Sequence, residues 1–263
     1  MRAQVGGTEI EYDVRGAGPA VVFLHAFPLG QFMWDREAEA LSGRHRVVRF
    51  DARGFGSTPP GGGPLTMDRI ADDAAALMDH LEIETAVLAG CSMGGYAAFA
   101  FVRRHPDRLA GLVLQDTRAG ADTAEARANR ATLASRVLEE GAQAAADAFV
   151  PKLVGETTQG ENYDLVAHLH ERILATSPVG IAQALHGLGT RADSRETLAD
   201  IQVPTLVVVG EEDVLTPPAE AEAMAAAIAG SRLEVIPRAG HLSNLENPTA
   251  YHKVLGRFLD SLR

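Results

Sequence analysis

Short, mostly apolar runs rich in β-branched residues recur along the chain, separated by stretches in which apolar residues have helical spacing. Such runs, bounded by glycine, proline or charged residues, are typical of buried strands. Residues 2–15 alternate more weakly between apolar and polar side chains and end at a glycine-proline cluster, which predicts an antiparallel hairpin. Further strands are predicted directly before Ser92 and at residues 20–24, 46–50, 109–114, 203–209 and 233–236.

Helical periodicity is clearest over residues 67–81, where the apolar positions form a single face. Other helices are predicted over residues 32–41, 93–102 and 218–229, and over the last residues to 262. Because strands alternate with helices, we predict an α/β protein with a mostly parallel sheet that is covered by helices on both faces.

The stretch from about residue 118 to 199 departs from this alternation, because it is alanine-rich and amphipathic and contains no convincing strand. We predict a core formed by residues 1–117 and 200–263, with residues 118–199 inserted as a helical cap over the carboxyl edge of the sheet. Four short helices are expected in the cap, separated by the helix-breaking residues Pro151, Gly155, Gly160, Pro178 and Gly187.

Composition narrows the possible partners. The chain has 263 residues, of which 46% are hydrophobic and 22% charged, as in ordinary globular proteins. A net charge of -11 argues against nucleic acid and anionic membrane surfaces as partners. The single cysteine excludes an intramolecular disulfide, and no segment resembles a signal peptide or a membrane span. We therefore expect a cytoplasmic protein, whose oligomeric state the sequence leaves open.

The stretch most informative about chemistry is Gly90-Cys91-Ser92-Met93-Gly94-Gly95, between a predicted strand and a predicted helix. A strand that turns into a helix within a few residues requires glycines where the backbone approaches itself closely. Such a turn presents the Ser92 hydroxyl at a helix N-terminus, where the amide of Met93 could stabilise an oxyanion. This context, rather than the G-x-S-x-G spacing alone, identifies Ser92 as a candidate nucleophile.

A serine nucleophile needs a base, and the base needs an orienting acid. His241 follows the predicted strand at 233–236, and Asp213 follows the one at 203–209, so both belong to loops at strand carboxyl ends. The chain order of serine, acid and histidine is the one expected for this architecture. Asp116 also ends a strand and remains the alternative acid.

Five motifs in this order resemble the α/β-hydrolase superfamily, over nearly the whole chain outside the predicted cap. Within it, the chain is most similar to small bacterial esterases, enol-lactonases and cofactor-free haloperoxidases. The resemblance implies an eight-stranded sheet, no cofactor and no metal, and the amide of Phe27 as second oxyanion donor, although Ala26 stands where glycine is usual. The matching segments are residues 25–28, 51–57, 90–95, 210–213 with Pro217, and 240–241.

Other candidate residues receive structural interpretations. Cys91 is expected to pack beneath the serine turn, and His25 to hydrogen-bond within the oxyanion loop. His168 and His170 lie two positions apart, on different faces of a helix, which argues against a metal site. For the acyl pocket we predict Leu29 and Phe32, with Phe27 and Met93. We find no basic residue that clearly marks a site for a diacid substrate.

The hypothesis that follows is a serine hydrolase that cleaves small carboxylic esters through an acyl-enzyme. An enol-lactonase, or a perhydrolase in which peroxide replaces water, would use the same residues. A non-catalytic receptor for a small ligand is the alternative from another class, because a fold does not by itself imply chemistry. In each case the expected partner is a small molecule, an ester or a lactone for the enzymes.

Overall fold

A computed structural model describes residues 1–262, and Arg263, the last residue of the predicted core, lies outside the described part. The predicted sheet is confirmed: it has eight strands in the order β1-β2-β4-β3-β5-β6-β7-β8. Only the β1–β2 and β2–β4 pairs are antiparallel. The strands are β1 (Arg2–Val5), β2 (Thr8–Arg15), β3 (Ala20–Leu24), β4 (Arg46–Phe50), β5 (Ala86–Cys91), β6 (Leu109–Gln115), β7 (Thr205–Gly210) and β8 (Arg232–Ile236).

Burial and register explain how the strands create a site. Every residue of β3, β5 and β7 is buried, as expected for parallel strands with both faces covered. Leu24 pairs with Gly90, Gly90 with Leu114, and Leu114 with Val207, so the four central strands end at nearly the same level. The loops that follow these strands therefore meet at one edge of the sheet.

The helices outside the segment between β6 and β7 follow the predicted periodicity with small shifts at their ends. The predicted helix at 32–41 begins as a 3₁₀ turn, Gln31–Trp34, before it becomes α-helical. The last helix is preceded by a separate single turn. These helices are α1 (Asp35–Leu41), α2 (Met67–His80), α3 (Met93–Arg104), α9 (Pro218–Ala227), α10 (Ser243–Glu246) and α11 (Pro248–Asp260).

Between β6 and β7 the described chain contains five α-helices rather than four. Gly155 caps one of them and Pro178 begins another, but Pro151, Gly160 and Gly187 lie inside helices. Gly187 serves close packing instead, because a side chain there would collide with the carbonyl oxygen of Leu65. These helices are α4 (Ala124–Glu140), α5 (Gln143–Leu153), α6 (Glu156–Glu161), α7 (Tyr163–Leu174) and α8 (Pro178–Gly189).

The helices between β6 and β7 pack on one another and on other parts of the chain. α4 lies against α8 and α5, and α5 lies against α7. Backbone approaches backbone where α8 meets the loop after β4, since a side chain at Gly180 would strike the carbonyl of Gly54. In the part of the chain that the structure describes, no helix combines the length and apolar character needed to cross a bilayer.

Candidate active site

Ser92 occupies the turn between β5 and α3 with φ 52° and ψ -109°, a backbone conformation that L-residues rarely adopt. Two glycines make the turn possible. A Cβ at Gly90 would overlap the carbonyl of Gly94, and a Cβ at Gly94 would overlap the carbonyl oxygen of Leu24 in β3. The glycine spacing in the sequence therefore reflects a real close approach of three backbone segments.

The structure brings Ser92, His241 and Asp213 together. The Ser92 Oγ lies 2.8 Å from the Nε2 of His241, and the His241 Nδ1 lies 2.8 Å from the Oδ2 of Asp213. In this arrangement Nδ1–H donates to the carboxylate, which leaves Nε2 free to accept a proton from the hydroxyl. The imidazole is only 2% exposed and the carboxylate 0%, so water does not compete for the contact between these two groups.

The Asp213 carboxylate is held in place by its own loop. Its Oδ1 accepts hydrogen bonds from the amides of Leu215 and Thr216, and its Oδ2 accepts one from the Thr216 hydroxyl at 2.6 Å. Burial alone would raise the pKa of Asp213, but the neighbouring His241 and the Thr216 hydrogen bonds lower it. The carboxylate is thus ionised and fixed beside the imidazole.

The charges around His241 favour its protonated form. Burial opposes protonation, but the carboxylates of Asp213, Asp116 and Glu246 outweigh it, and the pKa of His241 is raised above its ordinary value. An imidazole with a raised pKa is a stronger base than a free one, which suits a group that takes a proton from a serine.

Asp116, the alternative acid, lies at the end of β6 but contacts other groups. Its carboxylate accepts hydrogen bonds from the Gly210 amide at 2.8 Å, the Gln115 side chain at 3.0 Å, and both the amide and the hydroxyl of Ser243. Burial, with the nearby charge of Asp213, raises the pKa of Asp116 to about 7. Asp213, not Asp116, is the carboxylate that hydrogen-bonds to His241.

A further carboxylate supports the loop of His241 from both sides. Glu246 accepts hydrogen bonds from the amides of Gly240 and Leu242, the two residues that flank the histidine. It also accepts one from the amide of Gly155, at the start of α6. Burial raises the pKa of Glu246 despite these donors. The loop is thereby fixed to the helices between β6 and β7.

The Met93 amide, predicted as an oxyanion donor from the serine turn, and the Phe27 amide, implied by the resemblance, are both unused among the described residues. Among the hydrogen bonds of residues 1–262, none is donated by the Phe27 amide or by the Met93 amide. Ala26, at the position where glycine is usual, donates its own amide to the Met33 sulfur at 3.1 Å. The Phe27 and Met93 amides are therefore available to an external oxygen atom.

His25 and Cys91 have the structural surroundings expected from the sequence. His25 donates from Nδ1 to the carbonyl of Ala26 and accepts from the Ala52 amide at Nε2, so it joins two loops as a neutral imidazole. Burial lowers the pKa of His25. The Cys91 thiol is fully buried, 3.8 Å from the carbonyl oxygen of His241, and burial raises its pKa well above the ordinary value.

A cavity of ≈ 100 Å³ opens beside the Ser92 hydroxyl. Its apolar wall includes Phe27 and Phe149, whose rings meet edge to face at 5.0 Å. No acidic residue is among those that line it. The lining residues are Phe27, Ser92, Tyr96, Arg118, Arg130, Phe149, Leu188, Leu215, Thr216 and His241.

Leu29 and Phe32, the residues predicted for the acyl pocket, lie elsewhere. Both line a separate cavity of ≈ 340 Å³. Phe32 packs beneath α7, with its ring 5.6 Å from that of His168 and 4.2 Å from the Arg172 guanidinium. The short 3₁₀ turn thus directs Phe32 to a helix contact rather than to Ser92. The Met93 side chain is buried and is not among the residues that line the smaller cavity.

Several residues that line the cavity beside Ser92 were not predicted from the sequence. Arg118 follows the end of β6 by three residues, and the other site residues also follow strand ends. This position was the one feature of the sequence that could have indicated Arg118 as a site residue. Arg130 and Phe149 lie in α4 and α5, where nothing in the helical pattern distinguishes them from their neighbours.

Within residues 1–262, no group of three or more His, Cys, Asp or Glu side chains could hold a metal ion.

Comparison with known proteins agrees with this architecture. A thermophilic esterase from Thermogutta terrifontis, solved with malate bound, superposes with a TM-score of 0.97 at 40% identity, over 100% of this chain and 99% of its own. The 3-oxoadipate enol-lactonase 2 of Acinetobacter baylyi is 31% identical over 89% of this chain and 86% of its own. A non-heme haloperoxidase from Rhodococcus erythropolis is 30% identical over 97% of both.

These relatives are an esterase, an enol-lactonase and a haloperoxidase, the three groups that the sequence motifs resemble. The family model for the alpha/beta hydrolase fold matches residues 19–248, which include every strand from β3 to β8 as well as Ser92, Asp213 and His241. With most of the chain matched, and with the eight-stranded sheet in place, the resemblance is confirmed at the level of the family. The chain belongs to the α/β-hydrolase family.

Proposed function

We propose that the protein is a serine hydrolase that cleaves small carboxylic esters through an acyl-enzyme. The observation that carries the proposal is the continuous hydrogen-bonded path from Ser92 Oγ through His241 to Asp213, with 2.8 Å at each step. Serine, histidine and aspartate in this geometry form the machinery of acyl transfer. The two uncommitted amides at Phe27 and Met93 supply what such a site needs for an oxyanion.

In the proposed reaction, the Ser92 oxygen attacks the ester carbonyl while His241 Nε2 takes its proton. Asp213 holds the imidazole in the required tautomer and stabilises the imidazolium. The negative charge on the former carbonyl oxygen is stabilised by the amides of Phe27 and Met93. His241 then returns the proton to the leaving alcohol, and a water molecule releases the acid by the same steps in reverse order.

The small cavity favours a small substrate. Its volume of ≈ 100 Å³ and its walls of Phe27, Phe149, Leu188 and Leu215 leave room for a short acyl group. The esterase relative that was solved with malate bound offers a parallel for a compact ligand. We further propose that residues 118–199 act as a cap on a core of residues 1–117 and 200–263, since Phe149 and Leu188 come from that segment.

A second candidate is hydrolysis of an enol lactone, favoured by the relative named as a 3-oxoadipate enol-lactonase. The same residues would act, but the leaving alcohol would stay attached to the acyl group when the ring opens. Peroxide in place of water would give a perhydrolase, in line with the haloperoxidase relative. A panel of aliphatic esters and enol lactones, each assayed with and without hydrogen peroxide, distinguishes these activities.

The test is covalent labelling together with turnover. A fluorophosphonate probe should label Ser92, and p-nitrophenyl acetate should be hydrolysed. Both should be lost in Ser92→Ala, with the rate falling by several orders of magnitude. If folded wild-type protein neither reacts with the probe nor turns over any ester or lactone, a non-catalytic ligand receptor becomes the better description. Activity that survives in Ser92→Ala would remove the proposed mechanism.

A further inference from the structure

Three guanidinium groups surround one buried carboxylate next to the candidate active site. Asp122, whose side chain is 0% exposed, pairs with Arg118 at 3.1 Å, with Arg130 at 2.5 Å and with Arg191 at 2.7 Å. One negative charge cannot balance three positive ones, so the cluster carries two excess positive charges. This is unusual in a protein whose net charge is -11.

One of the three arginines, Arg191, is sufficient to pair with the buried Asp122 carboxylate and hold it in place. Arg191 is 3% exposed, donates to the carbonyl oxygens of Leu188 and Gly120 at 3.0 Å each, and lies 4.2 Å from the centre of the Tyr96 ring. Its charge alone neutralises Asp122. Satisfying the buried carboxylate therefore does not explain why two further arginines are present.

The other two arginines face the cavity that contains Ser92. Arg118 and Arg130 both line that cavity, and their side chains are 28% and 20% exposed. The Nε of Arg118 is buried and has no hydrogen-bond partner among the described residues. A buried donor without an acceptor is costly unless a ligand completes it. No carboxylate among the lining residues neutralises this wall.

We propose that Arg118 and Arg130 bind a carboxylate group of the substrate, so that the preferred substrates are anionic: half-esters of short dicarboxylic acids, or lactones that bear a carboxylate. The inference rests on the proposed function, because it concerns the same substrate: Ser92 attacks the ester bond at one end of the molecule, and the arginines bind the group at the other end. It departs from the interpretation of the sequence, in which no basic residue clearly marked a diacid substrate.

The chemistry of the two side chains favours a carboxylate. A guanidinium offers two parallel N–H donors that match the two oxygens of a carboxylate, and such charge-assisted pairs are stronger than neutral hydrogen bonds. The arginines and Ser92 line the same cavity of ≈ 100 Å³, and a space of this size suits a short dicarboxylic skeleton that extends from Ser92 to the arginines. The phenylalanine and leucine walls would then enclose the carbon chain.

Two esters that differ only in the charge of one end group test the proposal. Monoethyl succinate ends in a carboxylate, whereas ethyl succinamate ends in an amide of nearly the same shape. Wild-type kcat/KM should favour the anionic ester by about tenfold or more, as expected for loss of a charge-assisted pair. Arg118→Gln and Arg130→Gln should each bring that ratio towards one, while Arg130→Lys should keep part of the preference.

The matched control is Arg136→Gln. Arg136 belongs to the same helix as Arg130, but it is half exposed and pairs with Glu140 on the surface. The substitution removes the same charge at a distance from the cavity and should leave the ratio unchanged. A ratio near one in the wild type, or equal losses in Arg136→Gln and Arg130→Gln, would overturn the proposal.

A binding measurement separates this proposal from the proposed function, and it needs no variant of either arginine. Calorimetric titration of wild type and Ser92→Ala should show at least about tenfold tighter binding of succinate than of succinamide. Equal or undetectable binding of both, in a protein that hydrolyses p-nitrophenyl acetate, would refute the anion site alone. Selective succinate binding without any ester or lactone turnover would support the anion site and refute the hydrolase.

Discussion

The carboxylate of Asp116 accepts a hydrogen bond from the hydroxyl of Ser243 at 2.7 Å, which joins the end of β6 to the loop that carries His241. The same carboxylate accepts a hydrogen bond from the Gly210 amide at the end of β7. Asp116 has φ 44°, a left-handed conformation that is uncommon for aspartate. The residue thus positions the histidine loop through its neighbours and does not contact the imidazole through a hydrogen bond.

Replacement of Asp116 by asparagine should alter both stability and pH dependence. The amide would present N–H groups to surrounding donors, and we expect a loss of about 1–3 kcal/mol in the free energy of unfolding. Because the charge of Asp116 raises the pKa of His241, its removal should move the acid limb of kcat/KM to lower pH. Denaturant titration and a pH–rate profile measure the two effects.

Ser243→Ala provides the comparison for Asp116→Asn. It removes one donor to the carboxylate but leaves the carboxyl group itself in place. Since this donor lowers the pKa of Asp116, its loss weakens the charge only in part, and we expect lower stability with a smaller movement of the acid limb than in Asp116→Asn. A limb that stays in place in Asp116→Asn would show that Asp116 does not influence the imidazole electrostatically.

The wild-type enzyme should lose activity in acid at a pH set by His241. Only the neutral imidazole can accept the Ser92 proton, so kcat/KM falls as the pH drops through the pKa of His241. That pKa is raised, and the midpoint should therefore lie above the ordinary value of about 6.5. The profile for p-nitrophenyl acetate between pH 5 and 9 measures it. A midpoint well below 6 would contradict the electrostatic effect of the buried carboxylates.

Asp213→Asn should reduce kcat by about 10⁴-fold, the effect known for loss of the orienting acid in a serine triad. The asparagine side chain would no longer hold the imidazole in the tautomer that accepts the Ser92 proton. Glu211→Gln, two positions earlier on an exposed part of the same loop, is the matched control and should leave kcat near the wild-type value. Near-normal turnover in Asp213→Asn would point back to Asp116 as the acid.

Two glycine-to-alanine substitutions should change stability in opposite directions. A Cβ at Gly94 meets the Leu24 carbonyl, so Gly94→Ala should destabilise the protein by about 1–3 kcal/mol through overpacking. Gly256, inside α11, has nothing near its missing Cβ, and Gly256→Ala should stabilise by about 0.5–1 kcal/mol. Midpoints of thermal unfolding report both. Equal effects would mean that the serine turn tolerates a side chain.

Phe149→Ala should widen the cavity beside Ser92. Phe149 lines the cavity and packs edge to face on Phe27, so its truncation removes part of the wall that limits the acyl group. The optimum chain length for p-nitrophenyl esters should move from the short acyl groups expected for the wild type to longer ones, with acetate turnover falling. The same series measured with Leu174→Ala, an exposed position in α7, should match the wild type. An unchanged optimum in Phe149→Ala would place the acyl group elsewhere.

The sequence by itself determined what depends on residues close together in the chain. The order of strands and helices follows from apolar spacing, and the turn at Ser92 follows from glycines only two positions away on either side. Asp213 and His241 were candidates because each follows a strand, and parallel strands bring such residues to one edge of the sheet. The family resemblance rests on the same local motifs, and most of the fold follows from them.

Tertiary structure decided what depends on distant contacts. The sequence offered both Asp213 and Asp116 as the acid, and only the fold shows which carboxylate hydrogen-bonds to the imidazole. Phe32 packs beneath α7 rather than beside Ser92. Arg130 of α4 lines the cavity beside Ser92, which the sequence did not indicate, because helical periodicity shows which face of a helix is apolar but not what the other face meets.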